Sequence, residues 1–450
     1  MKNVTNLNTN RNITYEDMIE NIEFGVYSFK TITEIGLLDT IYFIVLKEKS
    51  TGVILDFTPF SKYLRYYHKN IDTRAPATIK SKVYIISNFL NYIFLYKYKE
   101  YGITRIEDVT KFHAQSFLND YASGKLNKYK GMEIQPKRKD TVKTAINEIT
   151  RFLKYIQKTY KENAKYLYGD NLYETITKVN PKTNEKEEVY QSTLRIKMKE
   201  YKKKELQMRD IPNEVLIKLF KLCDMYYPEI KLALALQAFG GMRGSEVCNC
   251  RQEISPKGGT KVIRQGRTML QCEFDLTRKL NMRSDFVDVG DIKTPGEQRI
   301  FEKFLTPFQK MYDKHVDWLR TQKFEREYCP LFINRDGKAM TYNSYYKKFK
   351  KLVHLLKEDL LSETDERLKI YGTLLMQYSL STHALRHWFT VQLVLEGLSP
   401  NEIAGWRRDE KIDSAMSYCS KKESLGRVYK KSNDTLFNEM FYGGGKDGSI

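Results

Sequence analysis

The chain of 450 residues carries 76 lysines and arginines against 56 aspartates and glutamates, a formal charge of +20, with 41% hydrophobic and 13% aromatic residues. This length allows two or three domains with cores of their own, and so much apolar surface excludes disorder as the dominant state. No apolar run approaches the roughly 18 residues of a membrane span, the start MKNVTNLNTNRN has no signal-peptide core, and the 6 cysteines are scattered, so a soluble, cytoplasmic protein is expected.

Residues 1–56 form a first segment. Between Thr40 and Asp56, TIYFIVLKEKSTGVILD holds two β-branched and aromatic runs around a Gly-containing turn, a hairpin pattern. Over 57–165 apolar residues recur at helical spacing, Leu64, then Ile85, Ile86, Phe89 and Tyr92, then Phe117, Ile146, Phe152 and Ile156. Basic and hydroxyl side chains lie between them, as in RAPATIKSK and KRKDTVKTAIN, which predicts a bundle of roughly four helices with a basic face. Residues 166–209 turn polar and end in KMKEYKKKELQMR, a basic linker with an inserted hairpin or loop.

A second domain, 210–422, opens at DIPNE, where a helix start precedes EVLIKLFKLC. A further helix over about 228–239 ends at Gly240-Gly241, and alternation from Val262 to about Phe304 predicts a small antiparallel sheet. From Tyr342 the pattern is helical again, and 423–450 is a tail. The expected fold class is mainly α with a small antiparallel β-sheet in the second domain. Cys248 and Cys250 are close together, but without a second pair at ligand spacing they read as small packed side chains. Neither a metal nor a cofactor is expected: the chain has no GxxxxGK[ST] loop and no carboxylate cluster for paired magnesium ions.

The charge is uneven. Residues 1–50 hold 5 basic and 7 acidic side chains, 51–210 hold 32 and 18, and 211–450 hold 39 and 31. Such a field attracts polyanions, of which nucleic acid is the commonest. Phosphate contacts are placed on Lys80 and Lys82, on Lys137, Arg138, Lys139 and Lys143, and on Lys202, Lys203 and Lys204 of the strap.

Three separated motifs carry chemistry. GGMRGSEV sets Arg243 after a glycine turn with Glu246 three residues on; STHALRHWFTVQLVLEG sets His383 and Arg386 on one helical face, capped by Ser381 or Thr382 and closed by Gly397. SPNEIAGWRRDEKIDSAMSYCSKK opens with a Ser399, Pro400, Glu402 capping box and continues through Trp406 to Tyr418. Taken singly, each residue has an ordinary structural reading; their order and co-occurrence do not.

This set, G-x-R-x-S-E, H-A-L-R-H-x-F, a Gly-Trp pair and a later Tyr, resembles the catalytic domain of tyrosine recombinases, the phage integrases, over about 210–422. The helical basic segment before it resembles the family's core-binding domain. The resemblance implies that Arg243 and Arg386 clamp the scissile phosphate, that His383 is a donor or proton shuttle, and that Trp406 donates its indole N–H. It implies that Tyr418 is the nucleophile, forming a 3′-phosphotyrosine and releasing a 5′ hydroxyl. The family's general-acid lysine sits on a β-hairpin; Lys293 in DVGDIKTPGEQ is placed there, with Lys257, Lys261 and Lys279 in the same region. Glu246 is read as a partner that orients an arginine.

The interval from Trp406 to Tyr418 is a few residues longer than the family usually shows, with RRDEKID filling it, and Tyr429 is a second candidate nucleophile. The implied partners are double-stranded DNA, clamped between two domains, and three further copies in a tetramer, with a tail helix that can dock in trans and room for accessory DNA-bending or directionality factors. The subtype expected is a mobile-element integrase in a prokaryotic host. A regulator that has lost cleavage, a type IB topoisomerase and a telomere resolvase are the alternatives.

Overall fold

The computed structural model describes residues 19–32, 34, 36–63, 76–179, 186–197, 201–202, 207–208, 210–410 and 412–419. They fall into two compact units, one of residues up to 31 with 40–204, the other of 32–39 with 205 onward.

The first unit begins with a three-stranded sheet in the order β1 (Ile22–Ile32), β2 (Leu38–Glu48), β3 (Ile54–Phe57). The expected hairpin is the antiparallel β2–β3 pair, with a register shift between Leu46 and Lys47. Strand β1 is an addition to the sequence reading; Tyr27, Phe29 and Ile32 along it are exposed, so no simple alternation marks it. Three long helices follow, α1 (Pro76–Asn91), α2 (Lys111–Ser123) and α3 (Lys139–Tyr160). The place expected for a fourth, around Leu64, lies outside the described residues. Helix α2 starts on a reciprocal cap between Thr110 and His113. Ile85, Ile86, Phe89, Phe117, Phe152 and Ile156 meet in one buried cluster, so the helical spacing identified the core-facing stripe.

The polar segment after α3 packs on this unit. Strands β4 (Tyr173–Val179) and β5 (Lys186–Ser192) form the inserted hairpin in continuous antiparallel register from Tyr173↔Ser192 to Val179↔Lys186. Leu172 and Leu194, flanking it, join the same core, and the Ser192 and Thr150 hydroxyls share a 2.6 Å hydrogen bond.

The second unit's chain begins with β6 (Gln207–Met208) and α4 (Asn213–Tyr226), then α5 (Lys231–Gly240) and the single turn α6 (Gly244–Val247). The predicted sheet is β7 (Thr260–Gln265), β8 (Thr268–Leu276) and β9 (Gly296–Arg299), antiparallel throughout. Helices α7 (Leu305–Arg320), α8 (Tyr342–Leu361) and α9 (Glu366–Gln377) lead to β10 (Ser379–Leu380), which pairs in parallel with β6. Then come α10 (His383–Leu395), α11 (Pro400–Arg407) and α12 (Asp413–Cys419). A core from Ile211 to Ala415 unites them, with α10 at its centre, where Trp388 and Arg386 are each 1% exposed. Among the described residues no helix is long and apolar enough to cross a membrane. Cys223, Cys248, Cys250 and Cys272 are buried, and that burial pushes their thiols well above the usual range.

Candidate active site

Arg243 and Arg386 are brought together by a glycine corner. Helix α5 ends where Gly241 takes φ +65°, and a Cβ there would run into the Phe389 ring, so only glycine fits both the turn and the packing. Arg243 follows as the N-cap of α6, and Glu246 closes the cap by accepting the Arg243 backbone N–H at 3.2 Å. Arg386, one turn into α10, donates Nη1 to the Gly241 carbonyl and one Nη2 hydrogen to the Arg407 carbonyl at 2.6 Å.

The two guanidiniums then share one acceptor. Asp409 Oδ1 accepts from Arg243 Nη2 at 2.9 Å and from Arg386 Nη2 at 2.8 Å, while Asp409 Oδ2 lies 3.1 Å from Arg407 Nη2. Glu246, fully buried, holds Arg243 Nη1 at 3.0 Å and Arg408 Nη2 at 2.8 Å. Arg408 sits in the left-handed region, φ +50°, at the end of α11 and reaches back to the Gln298 side chain and the Thr294 and Gly296 carbonyls. Burial, and then the neighbouring Arg243 and Arg407 cations, pull the Arg386 guanidinium down to about 9, against the opposing pull of Asp409 and Glu246. It stays cationic at neutral pH.

On the same end of α10, the His383 and His387 rings meet edge to face at 4.7 Å, and the His387 and Tyr418 rings are 5.6 Å apart. His383 is exposed, His387 buried and Tyr418 half-buried. Helix α11 starts on the predicted reciprocal cap between Ser399 and Glu402. At its other end the Trp406 ring packs against Phe301 at 5.1 Å, and the Trp406 carbonyl accepts from Gln298. The indole is thereby part of the packing that holds the end of α11.

Lys293 is exposed in the turn that enters β9, beside the Thr294 carbonyl gripped by Arg408. Lys261 is bound to Glu297 at 2.8 Å and Lys279 to Asp288 and Asp291, each at 2.7 Å. Tyr429 lies outside the described residues. Thr382 holds the N-cap position of helix α10 without a side-chain cap hydrogen bond, and Gly397, φ +89°, closes the helix where the sequence placed it.

The cations assigned to phosphate contacts divide. Lys80, Arg138, Lys139 and Lys143 are exposed, and Asn127, Gln135, Lys137, Arg138, Thr141 and Lys202 line a polar cavity of about 330 Å³ in the first unit. Lys82 is a correction: helical phase turns it inward, 9% exposed, with its ammonium 3.9 Å from the buried Glu148 carboxylate. Lys203 and Lys204 lie outside the described residues.

Sequence reasoning missed Arg407, Arg408, Asp409, His387 and Gln298. The local signals were the run RRD directly after the Gly-Trp pair, in a stretch read as filler, for Arg407, Arg408 and Asp409, and the second His of H-A-L-R-H-x-F for His387.

No family model matches the chain, and no curated protein matches it. It is similar to several solved structures at low identity. One is the XerH site-specific recombinase bound to difH substrate in a pre-cleavage complex, at 13% identity and TM-score 0.45, covering 76% of each chain. Another is the Tn1549 transposon integrase (residues 82–397) in complex with circular intermediate DNA, at 14% identity and TM-score 0.47, covering 81% of this chain and 98% of that one. A third is a lambda integrase (75–356) dimer bound to a COC′ core site, at 11% identity and TM-score 0.39, covering 80% of this chain and 94% of that one.

Proposed function

We propose that the chain is a site-specific DNA strand-exchange enzyme of the tyrosine recombinase type, acting for a mobile element through a 3′-phosphotyrosine intermediate. The observation that carries this reading is the convergence of Arg243 and Arg386, far apart in sequence, on a single carboxylate oxygen at 2.9 and 2.8 Å. Two guanidiniums that can grip one oxygen atom of an anion from two sides are built to grip a phosphodiester and to stabilise the charge that grows on it during attack.

In this reading the Tyr418 hydroxyl attacks phosphorus, forming a phosphotyrosine bond as the bond to the 5′ oxygen breaks. The phenolic proton passes to His383, whose ring meets that of His387, itself 5.6 Å from the Tyr418 ring, and Lys293 protonates the leaving 5′ oxygen. Lys293 is preferred over Lys261 and Lys279 because those two are held by carboxylates. Glu246 keeps Arg243 and Arg408 oriented, and Trp406 holds the end of α11. The phosphodiester is exchanged for a phosphotyrosine ester, so rejoining requires no nucleotide. Exposed cations of the first unit supply the phosphate contacts that set register on duplex DNA, and the working assembly is a tetramer.

A nicked suicide duplex carrying the sequences that flank the gene tests the reading. A covalent adduct with wild type, lost in Tyr418→Phe, supports it; no adduct from wild type, or an adduct retained by the phenylalanine variant, rejects it. Strand exchange between two duplexes, as opposed to relaxation or hairpin closure of one, identifies the recombinase among enzymes of this chemistry.

A further inference from the structure

We propose that Asp409 is a displaceable internal anion seated in the oxyanion subsite of the Arg243–Arg386 clamp, and that a phosphodiester enters by exchanging with this carboxylate. The inference deepens the function proposed above and rests on its reading of the two arginines as a phosphate clamp.

The Asp409 carboxylate takes the guanidinium edges that two clamp residues would turn to a phosphate. Arg386 Nη2 has its two hydrogens committed, one to the Arg407 carbonyl and one to Asp409 Oδ1, and its Nη1 serves the Gly241 carbonyl. Any anion that reaches Arg386 through Nη2 therefore replaces either a backbone carbonyl fixed by α11 or the side chain of Asp409. The side chain is the movable one. It follows α11 at the start of the loop that leads to α12, and it is 13% exposed, whereas the other carboxylate of the cluster, Glu246, is fully buried and locked in the α6 cap.

The fit is incomplete in a way that a tetrahedral oxyanion would improve. Arg386 Nε is buried with no hydrogen-bond partner, and Asp409 Oδ2 accepts no hydrogen bond despite its nearness to Arg407. A planar carboxylate offers two oxygens to this cluster, and a phosphate group offers oxygens in further directions. Charge also favours a second anion. Four guanidiniums, Arg243, Arg386, Arg407 and Arg408, face two carboxylates, Glu246 and Asp409. The cluster thus tolerates an arriving phosphate before the carboxylate leaves, which gives the exchange a route that never strips Arg386 of a counterion. Release of Asp409 frees the chain between α11 and α12, the helix that holds Tyr418, so filling the clamp is coupled to the segment that leads to the proposed nucleophile.

The probe is tungstate, a tetrahedral oxyanion, titrated calorimetrically into the full chain. If Asp409 competes for the clamp, the apparent affinity of wild type is lowered by the fraction of clamp that Asp409 leaves open, and Asp409→Asn binds tungstate roughly tenfold tighter or more. The gain disappears when Arg386→Gln is added. Equal or weaker binding by Asp409→Asn overturns the proposal. A second measurement needs only wild type: tungstate is expected to speed amide hydrogen exchange in the peptide covering Arg408–Glu410, and unchanged or slower exchange there overturns the proposal even if the asparagine variant fails to fold. Neither readout involves cleavage. A chain that shows the tungstate effects but forms no Tyr418 adduct would reject the enzyme reading and keep the clamp exchange; an adduct without the tungstate effects would do the reverse.

Discussion

The two units carry cations of opposite kinds. In the first, Lys80, Arg138, Lys139 and Lys143 stand in solvent, where they cost little on folding and act through a field that salt screens. In the second, Arg386 and Arg407 are buried and Arg408 is partly so, and carboxylates and backbone carbonyls fix their directions. Here the desolvation cost is met by partners before any ligand arrives, and the donors are pre-aimed. Most of the chain's excess charge lies in the region of the first kind, yet the arrangement capable of chemistry lies where the excess is smaller. Net charge points only to a polyanion; under the proposed function it is the buried, partnered charge that marks where one phosphate would be held.

Substitution at Arg386 puts the heaviest strain on this contrast. Arg386→Ala is expected to lower suicide-substrate cleavage by roughly 10² to 10³-fold and to cost about 3–5 kcal/mol in denaturant unfolding, because Asp409 loses a buried partner. Arg408→Ala is expected to destabilise by about 3 kcal/mol, since it removes a partner of the buried Glu246 and unties the turn before β9. If its stability were unchanged, the partnered cluster would not be a folding element.

Acid sharpens the comparison by a different route. His315, buried against the Leu331 carbonyl, is pushed down from 6.5 to about 4 by desolvation. The unfolded chain takes up that proton first, so stability contributed above pH 6.5 falls away as the pH drops towards 4, by about 3 kcal/mol at most. His315→Gln is expected to flatten this slope in melts recorded between those limits. At the small end, the triple change of Arg138, Lys139 and Lys143 to Ala is expected to leave unfolding within about 0.5 kcal/mol while reducing the salt slope of DNA binding by about one per phosphate contact removed. Lys82→Met is expected to leave that slope untouched, because its ammonium faces Glu148.

Periodicity was enough to read the helices and their inner faces: the stripe from Ile85 to Ile156 is a core, and the Ser399–Glu402 cap is where the spacing placed it. Arg243 and Arg386 could be singled out because each sits in a short motif with a local geometry, and the structure brings their guanidiniums to one carboxylate oxygen. Asp409 could not be, because its meaning arises only when the chain turns left-handed at Arg408 and folds the RRD run back onto two distant arginines. Lys82 misled because an amphipathic stripe does not announce its edges: one residue of phase separates a solvent-facing lysine from one tucked beside Glu148. Strand β1 was missed because its aromatic residues are shared between both faces.

The two-residue pairing of β6 with β10 sets a boundary for dissection. Gln207 and Met208 lie side by side with Ser379 and Leu380, immediately before the residues that open α10. A fragment begun at Asn213, where the first helix of the second unit starts, would lack that strand and leave the segment ahead of His383 without its neighbour. The smallest piece that keeps His383 and Arg386 in place therefore has to begin before Gln207, well upstream of Arg243, the first residue of the proposed clamp.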